Sequence, residues 1–171
     1  MPTSLFEPII QGARPSFDFT PKKIGEGLHW TAPHNVSVGT ATAVTVLLEV
    51  PATGVYHLRG QVQADKAGTW TLSTGPTCSA GTAMTALNNN RRAANTTNIT
   101  LSHTVSSYST VGTALVYGIV GADSGPMSLA ADDRSGDAEW ILATSGTYLV
   151  RFVAGAAATN VIVTLRYWKE S

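Results

Sequence analysis

The stretch GVYHLRGQVQA, residues 54–64, decides the fold. Taken two residues at a time, it sets Tyr56, Leu58 and Val62 on one side of the chain and His57, Arg59 and Gln61 on the other. An extended chain points successive side chains to opposite faces, so this alternation marks a strand with one face toward a core. A helix would need apolar residues spaced near 3.6, and the stretch lacks that spacing.

The same alternation recurs on both sides of it. TAVTVLLEV (42–50) aligns Val44, Val46 and Leu48, and TWTLST (69–74) aligns Trp70 and Leu72. ALVYGIVG (114–121) offers Leu115, Tyr117 and Ile119 as its inward set, and AEWILA (138–143) offers Trp140 and Leu142. TYLVRFV (147–153) contributes Tyr148, Val150 and Phe152, and NVIVTLRYW (160–168) contributes Val161, Val163, Leu165 and Tyr167. Turn-forming residues separate the runs at 51–54, 66–68, 75–81, 88–95, 122–126 and 145–146. No segment carries sustained helical periodicity. The pattern predicts an all-β protein, an antiparallel β-sandwich of jelly-roll type spanning residues 36–171.

Residues 1–35 read differently. Pro2, Pro8, Pro15, Pro21 and Pro33 are interleaved with apolar residues that include Phe6, Ile9, Ile10, Phe17, Phe19, Ile24, Leu28 and Trp30. Proline at this density argues against helix and central strand. The large apolar side chains argue against a solvated linker, since each aromatic fully buried contributes on the order of 1.5–3 kcal/mol. An extended N-terminal arm lying on another surface satisfies both constraints, as does one folded back over its own domain. Phe6, Ile9, Ile10, Phe17 and Phe19 are its candidate contact residues, and loss of residues 1–20 is expected to leave a folded sandwich that attaches poorly.

Composition excludes several function classes. The 171 residues carry 11 basic and 11 acidic side chains, and only 13% are charged. Nucleic-acid binders draw affinity from phosphate neutralisation and show a basic excess, so no nucleic-acid partner is expected. An apolar fraction of 43% argues against intrinsic disorder. With Cys78 the single cysteine, neither an intrachain disulfide nor a cysteine-based zinc site is available. MPTSLFEPII lacks the basic and apolar regions of a signal peptide. No apolar window approaches the roughly 18 residues of a membrane span. These features predict synthesis in a reducing cytoplasm with no membrane partner, and they leave the sequons at Asn35, Asn95 and Asn98 unglycosylated.

No catalytic constellation stands out. His57 and His103 fall at outward strand positions and read as solvated side chains, and no Gly-x-Ser-x-Gly elbow frames a serine. His29 and His34 lie five apart with Glu26 the nearest carboxylate, a thin basis for a metal site. Asp132, Asp133, Asp137 and Glu139 cluster around Arg134 without the spacing of a calcium loop. No enzyme activity, metal or cofactor is expected.

TALNNNRRAANTTNIT (85–100) reads as a long polar hairpin connection, because asparagine caps turns and tolerates left-handed backbone. Asn88, Asn89, Asn90, Arg91 and Arg92 are candidate contacts to a protein partner, with amides that both donate and accept and guanidiniums suited to carboxylates. A network internal to the loop is the alternative.

VPATGVYHLRGQVQADKAGTWTLSTGPTCSAGTAMTALNNNRRAANT (50–96) and AEWILATSGTYLVRFVAGAAATNVIVTLRYWKE (138–170) carry a resemblance over roughly residues 45–170. Their cadence of strands and Thr/Gly-rich turns, closing on Tyr-Trp-Lys-Glu, resembles the head decoration or cement proteins of tailed bacteriophages. The resemblance implies a virion protein on the capsid exterior, made in the bacterial host, that bridges major capsid proteins as a dimer or trimer of itself. It implies no fixed functional motif. A carbohydrate-binding sandwich of a phage fibre or secreted protein is the alternative, with Trp30, Trp70, Trp140 and Trp168 as sugar-stacking candidates. Of these, Trp168 is out of phase with the inward set of its strand and is expected to be the exposed one.

Overall fold

The computed structural model describes residues 19–94, 97–105, 108–120, 128–130, 139–156 and 158–170. Phe6, Ile9, Ile10 and Phe17 of the expected arm lie outside these residues, as do Asp132, Asp133 and Asp137.

Among the described residues, one helix and twelve strands follow in order. They are α1 (Phe19–Gly25), β1 (His29–Val38), β2 (Ala43–Glu49), β3 (Tyr56–Ala64), β4 (Gly68–Thr74), β5 (Thr82–Ala83), β6 (Leu87–Asn88) and β7 (Thr100–His103). The remainder are β8 (Thr113–Val120), β9 (Ser128–Ala130), β10 (Trp140–Leu142), β11 (Thr147–Ala154) and β12 (Thr159–Lys169). Two antiparallel sheets pack face to face as a β-sandwich. Sheet A runs β10-β3-β12-β1-β6, with β9 also paired to β3, and sheet B runs β5-β7-β2-β11-β4-β8.

The inward alternation holds along most strands. Val44, Val46 and Leu48 of β2, Tyr56, Leu58 and Val62 of β3, and Trp70 and Leu72 of β4 are buried in one core. Tyr148, Val150 and Phe152 of β11 and Val161, Val163, Leu165 and Tyr167 of β12 complete it. A second, smaller cluster of Leu47, Leu149 and Val105 lies on the outer side of sheet B, with Cys78 packed against it. Thr45 Oγ1 accepts from the Val105 amide at 2.8 Å and ties that loop down.

Strand β8 departs from expectation. Leu115, Tyr117 and Ile119 face solvent, whereas Val120 is buried and Val116 packs against the core. The reason is Gly118: a β-carbon there would lie 2.3 Å from Trp70 Nε1. Trp70 occupies the space beneath Gly118, so the inward phase of β8 is the one holding the glycine and the valines.

The N-terminal region also differs from expectation. Residues 19–25 form a helix despite Pro21, because proline is tolerated in a helix's first turn, where its missing N–H has no intrahelical partner. The helix ends with Leu28 N–H bonded to Lys23 O at 2.9 Å and Gly27 N–H to Ile24 O at 3.0 Å, with Gly27 at φ 71°. This is a Schellman cap, which favours glycine at the left-handed position. Residues 29–35, expected to belong to the arm, lie in β1, paired to β12 from His29↔Trp168 to Val38↔Thr159. Strand β6 flanks β1 only at Trp30 and Thr31, so Pro33 sits where the strand is an edge, the setting that accepts proline.

Candidate binding surfaces

The asparagine loop is where the chain changes sheets. Strand β5 pairs with β7 in sheet B, β6 pairs with β1 in sheet A, and β7 follows back in sheet B. The expected hairpin is therefore a crossing between the two sheet edges. Its asparagines turn inward: Asn88 Nδ2 donates to Gly27 O at 2.8 Å, Asn90 Nδ2 to Gly25 O at 2.9 Å, and Asn89 Nδ2 to His29 Nδ1 at 2.7 Å. Asn88 Oδ1 and Asn90 Oδ1 accept from the amides of Asn90 and Arg92 at 2.8 and 3.0 Å. The amides thus cap the carbonyls at the end of α1, and Arg91 and Arg92 remain exposed at the tip.

The outer face of sheet A carries a second arrangement, set by register. His29 of β1, Trp168 of β12 and His57 of β3 are direct cross-strand neighbours. The rings stack as a ladder, with Trp168 at 5.8 Å from His29 and 5.2 Å from His57 and interplanar angles of 7°. Trp168 does point outward, as its phase implies, yet it is only 7% exposed because an imidazole covers it from each flanking strand. Trp30 and Trp70 are buried and Trp140 is half-buried against the core, so none of the candidates is a fully exposed indole.

His57, expected to be solvated, is buried. Its Nδ1 lies 2.5 Å from Glu139 Oε1 and its Nε2 2.8 Å from Glu170 Oε1. A carboxylate only accepts, so both contacts are hydrogen bonds when both ring nitrogens carry protons. Glu139 Oε2 also accepts from Arg59 Nη2 at 3.2 Å, and the Arg59 guanidinium lies 5.3 Å from the Trp168 ring centroid.

One row along, Arg166 of β12 stands directly opposite Arg59 of β3 and Thr31 of β1. Like charges directly opposite each other destabilise a sheet. Between these residues and α1 lies a cleft of about 360 Å³, lined by Ile24, His29, Thr31, Arg59, Asn89, Arg166 and Trp168. Burial, then the charges of Arg166 and Arg59, hold the His29 pKa below its ordinary value. The hydrogen bond from Asn89 to Nδ1 places the proton of the neutral ring on Nε2.

The third surface is the stripe on β8. Leu115, Tyr117 and Ile119 are 46%, 65% and 73% exposed. Tyr117 and Ile119 stand opposite Thr71 and Thr69 of β4, and Arg151 of β11 stands opposite Thr71 one strand further in.

The other sequence candidates separate. His29 and His34 lie an odd number of residues apart and fall on opposite faces of β1. His34 instead stacks on His103 of the facing sheet at 4.3 Å, and the His103 ring stays half-exposed. Among the described residues no three His, Cys, Asp or Glu side chains gather as metal ligands, and no helix is long and apolar enough to cross a membrane. The ladder and the arginine pair leave no local mark in the sequence, because the first needs the register of three strands distant in the chain and the second that of two. No protein-family model matches the chain, and no curated protein is significantly similar to it.

Proposed function

We propose that the chain is a structural virion protein that binds the outer surface of a phage capsid and stabilises it by bridging major capsid subunits. The observation that carries this reading is the solvent-exposed apolar stripe of Leu115, Tyr117 and Ile119 on the edge strand of sheet B. Large apolar side chains grouped in solvent mark surfaces that pack against other proteins. The exposed Arg91 and Arg92 at the loop tip add donors suited to carboxylates at the rim of such an interface. Phe6, Ile9, Ile10, Phe17 and Phe19 retain the proposed role of capsid-gripping contacts, with the protein acting as a dimer or trimer.

The test is sedimentation of the purified protein with phage heads that lack it. Saturable binding at fixed stoichiometry, with a gain in head resistance to heat, is the expected result. A folded protein left in the supernatant at saturating concentration refutes the proposal. Replacing Arg91 and Arg92 together with alanine is expected to lower occupancy at limiting protein without altering the fold.

A further inference from the structure

We infer that the cleft between α1 and the outer face of sheet A is a binding site for an acidic monosaccharide unit, a sugar ring bearing a carboxylate. The inference does not depend on capsid attachment. Three features of the cleft carry it.

The first is charge. Arg59 and Arg166 are cross-strand partners on the same face, an arrangement that costs stability unless an anion lies between them. Glu139 engages Arg59 Nη2, but Arg59 Nε is buried without a hydrogen-bond partner among the described residues. Arg166 is exposed, and no carboxylate among the described residues forms an ion pair with it. Guanidiniums bind carboxylates through paired donors, so this pair fits a carboxylate better than it fits a neutral ligand.

The second is the rest of the lining. The Thr31 hydroxyl and the His29 ring, protonated at Nε2, stand beside the arginines, and no carboxylate lines the cleft. A sugar carries several hydroxyls that can accept from such groups, whereas acetate or phosphate offers nothing for the wider cleft. The third is shape. About 360 Å³ is room for one sugar ring, with Ile24 and the edge of Trp168 as apolar walls. Recognition here runs through fixed donors, since both faces of Trp168 are taken by histidines.

The experiment titrates the full chain with glucuronate, methyl glucoside and acetate in about 0.15 M salt, where long-range attraction between exposed charges is screened. Binding is read from tryptophan fluorescence and from backbone amide shifts. Glucuronate is expected to give a saturable response confined to residues around Arg166 and Trp168, with methyl glucoside and acetate silent at tenfold higher concentration. Arg166→Gln is expected to weaken glucuronate binding at least tenfold while leaving the thermal midpoint unchanged. Thr31→Val is expected to weaken it severalfold and serves as a second variant at a different strand. A short oligogalacturonate separates a free sugar from a polymer unit: tighter binding than the monomer places the natural ligand in a polysaccharide, and equal binding places it in solution. An equal response to acetate and glucuronate, or no saturation with glucuronate, overturns the inference.

Discussion

Gly118 shows how one absent side chain fixes what a strand buries. Counting apolar residues in ALVYGIVG favours Leu115, Tyr117 and Ile119 as the inward set, three large residues against two valines. The geometry prefers the other phase because Trp70 needs the volume that a β-carbon at 118 would fill. Gly118→Ala is expected to destabilise the protein by about 1–3 kcal/mol through overpacking, read as a fall in thermal midpoint of roughly 2–4 °C per kcal/mol. An unchanged midpoint would show that Trp70 repacks freely. The asparagines teach the converse. Asn90 is a loop residue by composition, yet its side chain makes one bond to Gly25 O and one to the Arg92 amide. Asn90→Ala is expected to cost about 1 kcal/mol per bond lost, measured by chemical denaturation, and to raise amide exchange at the end of α1. Composition located the loop, but the carbonyls it caps lie some sixty residues earlier and leave no mark in the local sequence.

At the scale of elements, six of the seven longest strands and the short β10 were legible because period two is a property of each strand alone. The exceptions needed a neighbour. Strand β1 was hidden by Pro33, which is harmless only because β6 stops at Thr31 and leaves an edge there. Helix α1 is too short to show a period, and its clearest signal is Gly27 at the cap. The ladder of His29, Trp168 and His57 exists only once β1, β12 and β3 lie side by side. On the capsid-binding proposal, attachment rests on strand β8. Tyr117→Ser with Ile119→Thr replaces side chains already in solvent, so the thermal midpoint is expected to hold within about 2–4 °C, each surface change being worth under about 0.5 kcal/mol. Occupancy on phage heads is expected to fall at least tenfold, and full occupancy by the double variant would detach the stripe from function.

For the molecule as a whole, two histidines couple folding to acidity. Burial is the main cause holding the pKa values of His29 and His34 below the ordinary 6.5, helped by the arginines at His29 and by His103 at His34. As pH falls through 6.5, the unfolded chain takes up protons that the folded chain resists. Their contribution to stability is therefore whole above that value and declines below it. Denaturation midpoints are expected to drop between about pH 7.5 and pH 5.5, and His34→Gln is expected to flatten that slope. A slope unaltered by the substitution would assign the dependence to other groups. Another property follows from where β12 sits. It follows every other described strand in the chain and is hydrogen-bonded to both β1 and β3, which share no other neighbour among the described residues. On the ribosome, β1 must wait for almost the entire described chain before its partner emerges, so sheet A closes as a late event. Pairings this distant in sequence slow folding and leave strand edges open meanwhile. A nascent chain stopped before Thr159 would hold β1 and β3 as strands with nothing between them.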